Sequence, residues 1–224
     1  MTEQAIVTRC ADLDAAAERA AEVLATAIDA ARTVRGAAHV ALSGGSNVPP
    51  ALERLGPKLP EWSDVHLWYG DERVVPLDDE ESTHRLCTQY LDAPGATWHP
   101  VPTALGAHKA AAAYASELDG TVLDVALNGL GPDGHTASLF PNHPALQAEG
   151  ICVAVLDSPK PPSERVTLTL GKLNETRRLL LLVTGDSKVD ALARVLEPPD
   201  PAVPASLLDR SRVEIIADEA ALRG

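Results

Sequence analysis

Short apolar runs alternate with helical patterns along the whole chain, and this alternation restricts the fold more than any other feature. Residues 65–69 and 179–184 have the length of buried strands and are bounded by turn-forming or charged residues. The second run suits the middle of a parallel sheet. An amphipathic helix is expected between an N-cap at Asp12 and a stop at Gly36. The pattern predicts a three-layer, Rossmann-like α/β fold, with an open, mainly parallel sheet and helices on both faces.

The most informative stretch covers residues 124–141 and contains the block GLGPDGHTASLFP. An apolar run at 122–127 predicts a buried strand, and the glycines that follow it form a bend. A helix is expected after the bend, and open α/β sheets build their sites where a strand turns into a helix. Asp133 and His135 lie in the bend, where a carboxylate that holds an imidazole makes it a better general base.

A short Asp-Gly-His turn has two interpretations. It can be an ordinary loop in which the aspartate forms an Asx turn and the histidine is solvated, or it can carry catalysis. The whole block favours catalysis, because it resembles the signature of the 6-phosphogluconolactonases, whose relatives include the glucosamine-6-phosphate deaminases. The resemblance implies a fold of the sugar-phosphate isomerase/lactonase type. It also implies that His135 is the catalytic base, with Asp133 or Asp71 orienting its ring.

Another glycine bend, the first along the chain, follows the apolar run at 39–42 and consists of Ser43, Gly44, Gly45 and Ser46. Backbone N–H groups in such a bend can approach an anion, although a tight turn explains the glycines equally well. The resemblance favours the anion site, since it implies that this turn holds a sugar phosphate. The chain departs from the family pattern immediately afterwards, where Asn47-Val48-Pro49 replaces the usual Thr-Pro.

Charged side chains elsewhere complete the site that the resemblance implies. Asp71 and Arg73 face the substrate pocket in the family, although charges at a strand end are also typical of a solvated sheet edge. Arg165, after a proline-rich loop, is expected to form a bidentate pair with phosphate, and Lys160 is a further candidate. Lys188 is expected in the first turn of a helix, where the macrodipole disfavours a cation unless an anion is shared.

The chain is acidic, with a formal net charge of −13 and a pI near 4.9. This charge argues against nucleic acid and anionic membranes as partners, because both require a basic surface. The three cysteines lack C-x-x-C spacing and are expected to be reduced. No segment resembles a signal peptide or a membrane span, so a cytoplasmic protein is expected. The sequence implies neither a metal nor another cofactor, because no set of histidines and carboxylates has ligand spacing.

The resemblance implies, as the expected function, hydrolysis of 6-phospho-D-glucono-1,5-lactone to 6-phospho-D-gluconate, in the oxidative pentose phosphate pathway. One domain spanning residues 1–224 is expected to carry it, as a monomer or a weak dimer. His135 would activate the water, while Arg73 or the backbone around Gly44 and Gly45 would stabilise the oxyanion.

Three other functions have specific sequence requirements. A deaminase of the same superfamily needs a carboxylate shortly after the histidine, and residues 136–141 contain none. A non-catalytic sugar-phosphate sensor usually accompanies a DNA-reading domain, for which this acidic chain has no room. A serine hydrolase using Ser138 or Ser43 lacks the G-x-S-x-G elbow. These requirements favour the lactonase.

Overall fold

The computed structural model describes residues 5–223, which form ten strands and six α-helices. The strands are β1 (Ile6–Cys10), β2 (Ala38–Leu42), β3 (Val65–Tyr69), β4 (Asp71–Arg73), β5 (Thr97–Trp98), β6 (Val125–Gly129), β7 (Cys152–Val155), β8 (Arg165–Leu168), β9 (Leu179–Val183) and β10 (Val213–Asp218). The helices are α1 (Leu13–Arg35), α2 (Pro49–Leu55), α3 (Thr83–Tyr90), α4 (Ala107–Glu117), α5 (Leu170–Glu175) and α6 (Val189–Leu196).

Seven of the strands form one parallel sheet in the order β1-β10-β9-β6-β2-β3-β5. β9 lies inside this sheet and is buried at every position, as its apolar sequence predicts. α1 packs on the sheet beside α2. The Asp12 carboxylate accepts a hydrogen bond from the Ala15 amide at 2.8 Å, and Gly36 ends α1 in the left-handed conformation. The predicted open, parallel α/β sheet is therefore confirmed.

No helix within residues 5–223 combines the length and the apolar character needed to cross a membrane.

A second sheet, antiparallel and in the order β4-β8-β7, is not predicted by the sequence pattern. Its first strand, β4, follows β3 after the single residue Gly70. A Cβ at Gly70 would lie 2.3 Å from Ser43 Oγ, so the two chain segments can approach this closely only at a glycine. β4 has the charged composition of a solvated loop, yet each of its residues pairs with one of β8. Asp71 and Arg73 are therefore held on a paired strand.

The helix expected after the central block does not form. Thr136 and Leu139 instead make a single antiparallel bridge, and Ala137 adopts a φ of 48°. The Thr136 hydroxyl donates to the Gly129 carbonyl at 3.0 Å and accepts from Asn128 Nδ2 at 3.1 Å. These bonds fold the segment back onto the end of β6. A left-handed residue cannot continue an α-helix, so the prediction was wrong here.

Three histidines lie side by side across the large sheet. The register pairs His39 of β2 with His66 of β3, and their rings stack with centroids 4.6 Å apart. His66 Nδ1 lies 3.0 Å from His99 Nε2, and Trp68 Nε1 donates to His39 Nδ1 at 3.1 Å. Glu117 Oε1 lies 2.6 Å from His99 Nδ1 at the end of the row. The row therefore brings three titratable rings into mutual contact.

This row is expected to make the fold sensitive to acid. Burial lowers the pKa of His39 and His66, and a neighbouring imidazole lowers each further: His66 acts on His39, and His99 acts on His66. In the unfolded chain both histidines return to a pKa of about 6.5. As the pH falls through that value, the unfolded state therefore binds more protons than the folded state, and the free energy of unfolding decreases.

Urea denaturation at about pH 7.5 and about pH 5.5 checks this expectation. Comparing the parent with histidine variants removes the contribution of other titratable groups. His66→Gln takes out the central ring, so this variant should lose less stability on acidification than the parent. The exposed His108→Gln should behave like the parent. Equal acid losses in the parent and in His66→Gln would show that the row does not contribute.

Candidate active site

A cavity of about 260 Å³ opens at the carboxyl ends of the central strands. After β2 the chain proceeds to β3 on one side of the sheet, whereas β9 pairs with β6 on the other side. The bends after β2 and β6 therefore diverge and leave a crevice, which is where open α/β sheets bind ligands. The cavity is lined by residues 44–48 of the first bend, residues 129–132 of the second bend, His135, and charged side chains from other elements.

The central bend holds Asp133 and His135 as a hydrogen-bonded pair. The Gly131 amide donates to the His135 carbonyl at 2.8 Å, and the Gly134 amide donates to the Gly131 carbonyl at 3.0 Å. His135 Nδ1 is hydrogen-bonded to Asp133 Oδ1. A carboxylate accepts a proton in such a bond, so we assign the ring proton to Nδ1, which leaves the Nε2 lone pair free. This is the arrangement of an oriented general base.

Burial determines the charge of this base. The His135 side chain is 17% exposed, and the Phe140 ring packs with its centroid 5.0 Å from the imidazole centroid. Burial lowers the pKa of His135 and Lys160 adds to this effect, while Asp133 and Asp71 oppose it without cancelling it. Burial acts to raise the pKa of Asp133, but the hydrogen bond and the charge of His135 outweigh it, so the pKa is lowered. A neutral imidazole beside an ionised carboxylate is the resulting state at neutral pH.

The first glycine bend forms the opposite wall of the cavity. Gly44, Gly45 and Ser46 line it, as expected from the sequence. Gly45 has a φ of 138°, which side chains rarely tolerate. Ser43 is different: its side chain is buried and is not part of the lining, and its amide donates to the Leu127 carbonyl at 3.0 Å. The backbone of this bend, together with Ser46, is therefore the part that a ligand can reach.

Asp71 and Arg73 also line the cavity, from β4. Asp71 Oδ2 accepts a hydrogen bond from the buried Ser138 hydroxyl at 2.7 Å, an arrangement that holds Ser138 as a support for the carboxylate. Arg73 Nη1 donates to the Glu81 carbonyl. Arg73 Nε is buried and has no hydrogen-bond partner within residues 5–223. This guanidinium is the cation closest to the Gly44 bend, since a Cβ at Gly44 would lie 3.8 Å from Arg73 Nη2.

Three further cations reach the cavity from the second half of the chain. Lys160, Arg165 and Lys188 all line it. Lys188 immediately precedes α6, where a helix start was expected, and burial together with the nearby Lys160 lowers its pKa. Arg165 donates from Nε and Nη2 to three backbone carbonyls of the preceding loop. These bonds occupy both nitrogens on one side of the guanidinium and leave no intact two-nitrogen fork for the expected bidentate phosphate pair.

Other residues of the cavity wall were not singled out from the sequence as ligands. Asn47 lines the cavity, and its Nδ2 donates to the carbonyl of Thr184, the residue after β9, at 3.4 Å. Its only sequence signal is that it departs from the family pattern. Ala137 and Pro161 contribute apolar surface, which carries no chemical signal in a sequence. Within residues 5–223, no group of three or more His, Cys, Asp or Glu side chains could hold a metal ion.

Comparisons with known proteins identify the family of this chain. Residues 11–217 match the family described as glucosamine-6-phosphate isomerases/6-phosphogluconolactonase. The chain is 40% identical over 216 residues to the 6-phosphogluconolactonase of Mycobacterium tuberculosis, covering 87% of each chain. It is 39% identical over 205 residues to the human 6-phosphogluconolactonase, covering 81% of this chain and 78% of the human protein.

Solved structures give the same result for the fold. The crystal structure of a 6-phosphogluconolactonase from Shewanella baltica superposes with a TM-score of 0.88 at 27% identity, covering 97% of this chain and 99% of that chain. The match to the family therefore extends over nearly the whole chain, and the chain belongs to the glucosamine-6-phosphate isomerase/6-phosphogluconolactonase family.

Proposed function

We propose that this chain is a 6-phosphogluconolactonase, which hydrolyses 6-phospho-D-glucono-1,5-lactone to 6-phospho-D-gluconate with His135 as the general base. The observation that carries the proposal is the Asp133–His135 pair, which lies at the edge of a cavity rich in cationic side chains. The names of relatives that share about 40% of their residues with this chain agree with it.

In this mechanism His135 Nε2 takes a proton from water as the water oxygen attacks the lactone carbonyl carbon. Asp133 holds Nδ1 and stabilises the imidazolium that forms. The carbonyl oxygen becomes an oxyanion, for which Arg73 and the backbone N–H groups of Gly44 and Gly45 are the available donors. When the intermediate collapses, the bond from the carbonyl carbon to the ring oxygen breaks and that oxygen takes the proton from the imidazolium. The base is then neutral again.

The phosphate end of the substrate is assigned to the cationic side of the cavity. The chain carries a net charge of −13, so binding a dianion requires local positive charge. Lys188 and Lys160 supply it, and Ser46 with the glycine bend supplies neutral donors. Arg165 contributes its charge but not a two-nitrogen fork.

One assay tests the function directly. Fresh phosphogluconolactone and glucosamine 6-phosphate are offered to the enzyme, with rates corrected for spontaneous opening of the lactone. Hydrolysis of the lactone alone is expected. Release of ammonia from glucosamine 6-phosphate would favour the deaminase alternative, and binding of either compound without turnover would favour the sensor.

Since His135 must be neutral to act, kcat/KM should rise with pH through a pKa below about 6.5 and level off near neutrality.

Lys188→Ala is expected to lower kcat/KM for phosphogluconolactone by about 10–150-fold, because a charge-assisted bond is worth roughly 1.5–3 kcal/mol. The loss should appear mainly in KM if the contact is equally strong in the ground state and the transition state. Steady-state kinetics on gluconolactone, which has no phosphate, provide the comparison. An equal loss on both substrates would remove Lys188 from the phosphate site. Lys109→Ala, an exposed lysine on α4, is the matched control.

We further propose that residues 1–224 form a single domain, acting in the cytoplasm as a monomer or a weak dimer without a cofactor. Residues 1–4 and 224 of this domain lie outside the described residues. One hydrophobic cluster includes residues from both sheets, and Cys10, Cys87 and Cys152 are free thiols, which fits a reducing compartment. Light scattering after size exclusion measures the oligomeric state.

A further inference from the structure

The loop between β7 and β8 is fixed by the residue that follows it. Arg165 Nε donates to the Pro162 carbonyl at 3.1 Å, and Nη2 donates to the Lys160 and Pro161 carbonyls, also at 3.1 Å. Three of the five N–H groups of the guanidinium are thereby used on three consecutive carbonyls. Arg165 is itself buried, so this clamp is shielded from water. The use of a charged guanidinium to bind backbone carbonyls indicates that the conformation of this loop is important for the site.

Lys160 is the cationic residue that the clamp positions. Besides its bond to Arg165, the Lys160 carbonyl accepts the Ser158 hydroxyl proton at 2.8 Å, and the Ser158 oxygen in turn accepts from the Lys160 amide at 3.2 Å. The loop is closed by the Ser158 amide, which donates to the Ser163 carbonyl at 3.0 Å. Both backbone groups of Lys160 are therefore held, and its side chain leaves the loop in a defined direction.

That direction leads to the general base. Lys160 Nζ lies 3.5 Å from His135 Nδ1, the nitrogen that is hydrogen-bonded to Asp133. Asp71 on β4 is a further charged group that acts on the imidazole, and Lys160 and Asp133 both act on Lys188. Asp133 and Asp71 therefore favour the protonated ring, whereas the ammonium of Lys160 opposes it. At this separation and in a mostly buried site, the ammonium adds to the effect of burial on the imidazolium.

We propose that Lys160, together with burial, keeps the His135 imidazole unprotonated, and that Arg165 is a positioning residue that acts by fixing Lys160. In a site with two carboxylates near the base, Lys160 keeps the imidazole neutral and ready to accept a proton from water. Arg165 then acts on the base indirectly, because its hydrogen bonds to the loop carbonyls hold Lys160 in place. This inference rests on the proposed function for its catalytic meaning, but the contact between Lys160 and His135 can be measured without turnover.

The test is an NMR titration of the His135 imidazole in the free protein labelled with ¹⁵N-histidine. In Lys160→Met the pKa of His135 should rise by about one unit, because the opposing charge is gone. Lys160→Arg should leave it near the parent value. Lys109→Met, which removes a charge on exposed α4, should leave it unchanged. An unchanged pKa in Lys160→Met overturns the proposal.

Two variants test the positioning role of Arg165. Arg165→Lys keeps the charge but cannot hold three carbonyls, and Ser158→Ala removes the bonds to both backbone groups of Lys160. Each should move the pKa of His135 in the same direction as Lys160→Met, and by less. Arg165→Lys added to Lys160→Met should cause no further shift. If Arg165→Lys leaves this pKa unchanged and raises KM only for the phosphorylated lactone, Arg165 is a phosphate ligand and the positioning role is wrong.

The same variants separate this inference from the proposed function. If kcat/KM of Lys160→Met follows pH with the raised pKa seen by NMR, both stand. If NMR shows the shift but the kinetic profile does not follow it, the coupling stands and His135 is not the base. If the protein does not hydrolyse the lactone at all, the titration still decides whether Lys160 controls the imidazole.

Discussion

His135→Ala is expected to lower kcat for phosphogluconolactone by about 10²–10⁴-fold, the usual contribution of a general base, while the protein folds normally. The imidazole is held by Asp133 and by the closed bend, and its Nε2 is free for the water. No other residue that lines the cavity among residues 5–223 carries an imidazole. Stopped assays corrected for spontaneous lactone opening give kcat, and circular dichroism checks the fold.

Asp133→Asn provides the comparison for this result. It keeps the size of the side chain but removes the charge that stabilises the imidazolium, and an amide can present its N–H to Nδ1 and so favour the wrong tautomer. Asp133→Asn is therefore expected to lower kcat, as His135→Ala does, while the protein still folds. If His135→Ala stays within a few-fold of the parent, another group activates the water and the pair is structural.

Gly131→Ala is expected to cost about 10²-fold in kcat, although the change is a single methyl group and Gly131 does no chemistry. A Cβ at this position would lie 1.9 Å from His135 Nδ1 and 2.6 Å from Asp133 Oδ1, far inside contact distance. The pair must therefore move, and a displacement of about 1 Å is enough to spoil proton transfer. The effect should appear in kcat and in the His135 titration rather than in KM.

Gly171→Ala is the matched control, since it makes the same chemical change on α5 with only an ordinary 3.8 Å contact to Thr169 Oγ1. It should keep full activity. If Gly131→Ala is as active as Gly171→Ala, the bend is compliant and the close packing of the pair against Gly131 has no functional role. If it loses activity only by unfolding, urea denaturation will show it, and the loss cannot be assigned to geometry.

Local sequence information was sufficient to predict the structural features that depend only on neighbouring residues. The N-cap at Asp12 and the stop at Gly36 depend on a few neighbouring residues, and both are where the sequence predicts them. The Asp133–His135 pair was also predictable, because a single residue separates its members along one bend. The helix expected after this bend failed for a longer-range reason: the Thr136 hydroxyl bonds back to Gly129, seven residues earlier.

The sequence by itself determined the α/β class and the parallel sheet, since apolar periodicity encodes them, and its long local motif led to the proposal that His135 is the base. Only the tertiary structure decided that Arg165 holds a loop and that Lys160 lies beside His135. The two partners are 25 residues apart, and their meeting depends on how β8 pairs with β4. Strand pairing is set by packing over the whole fold, which no local pattern records. The same holds for the row of three histidines, since strand register pairs His39 with His66 and the segment after β5 adds His99.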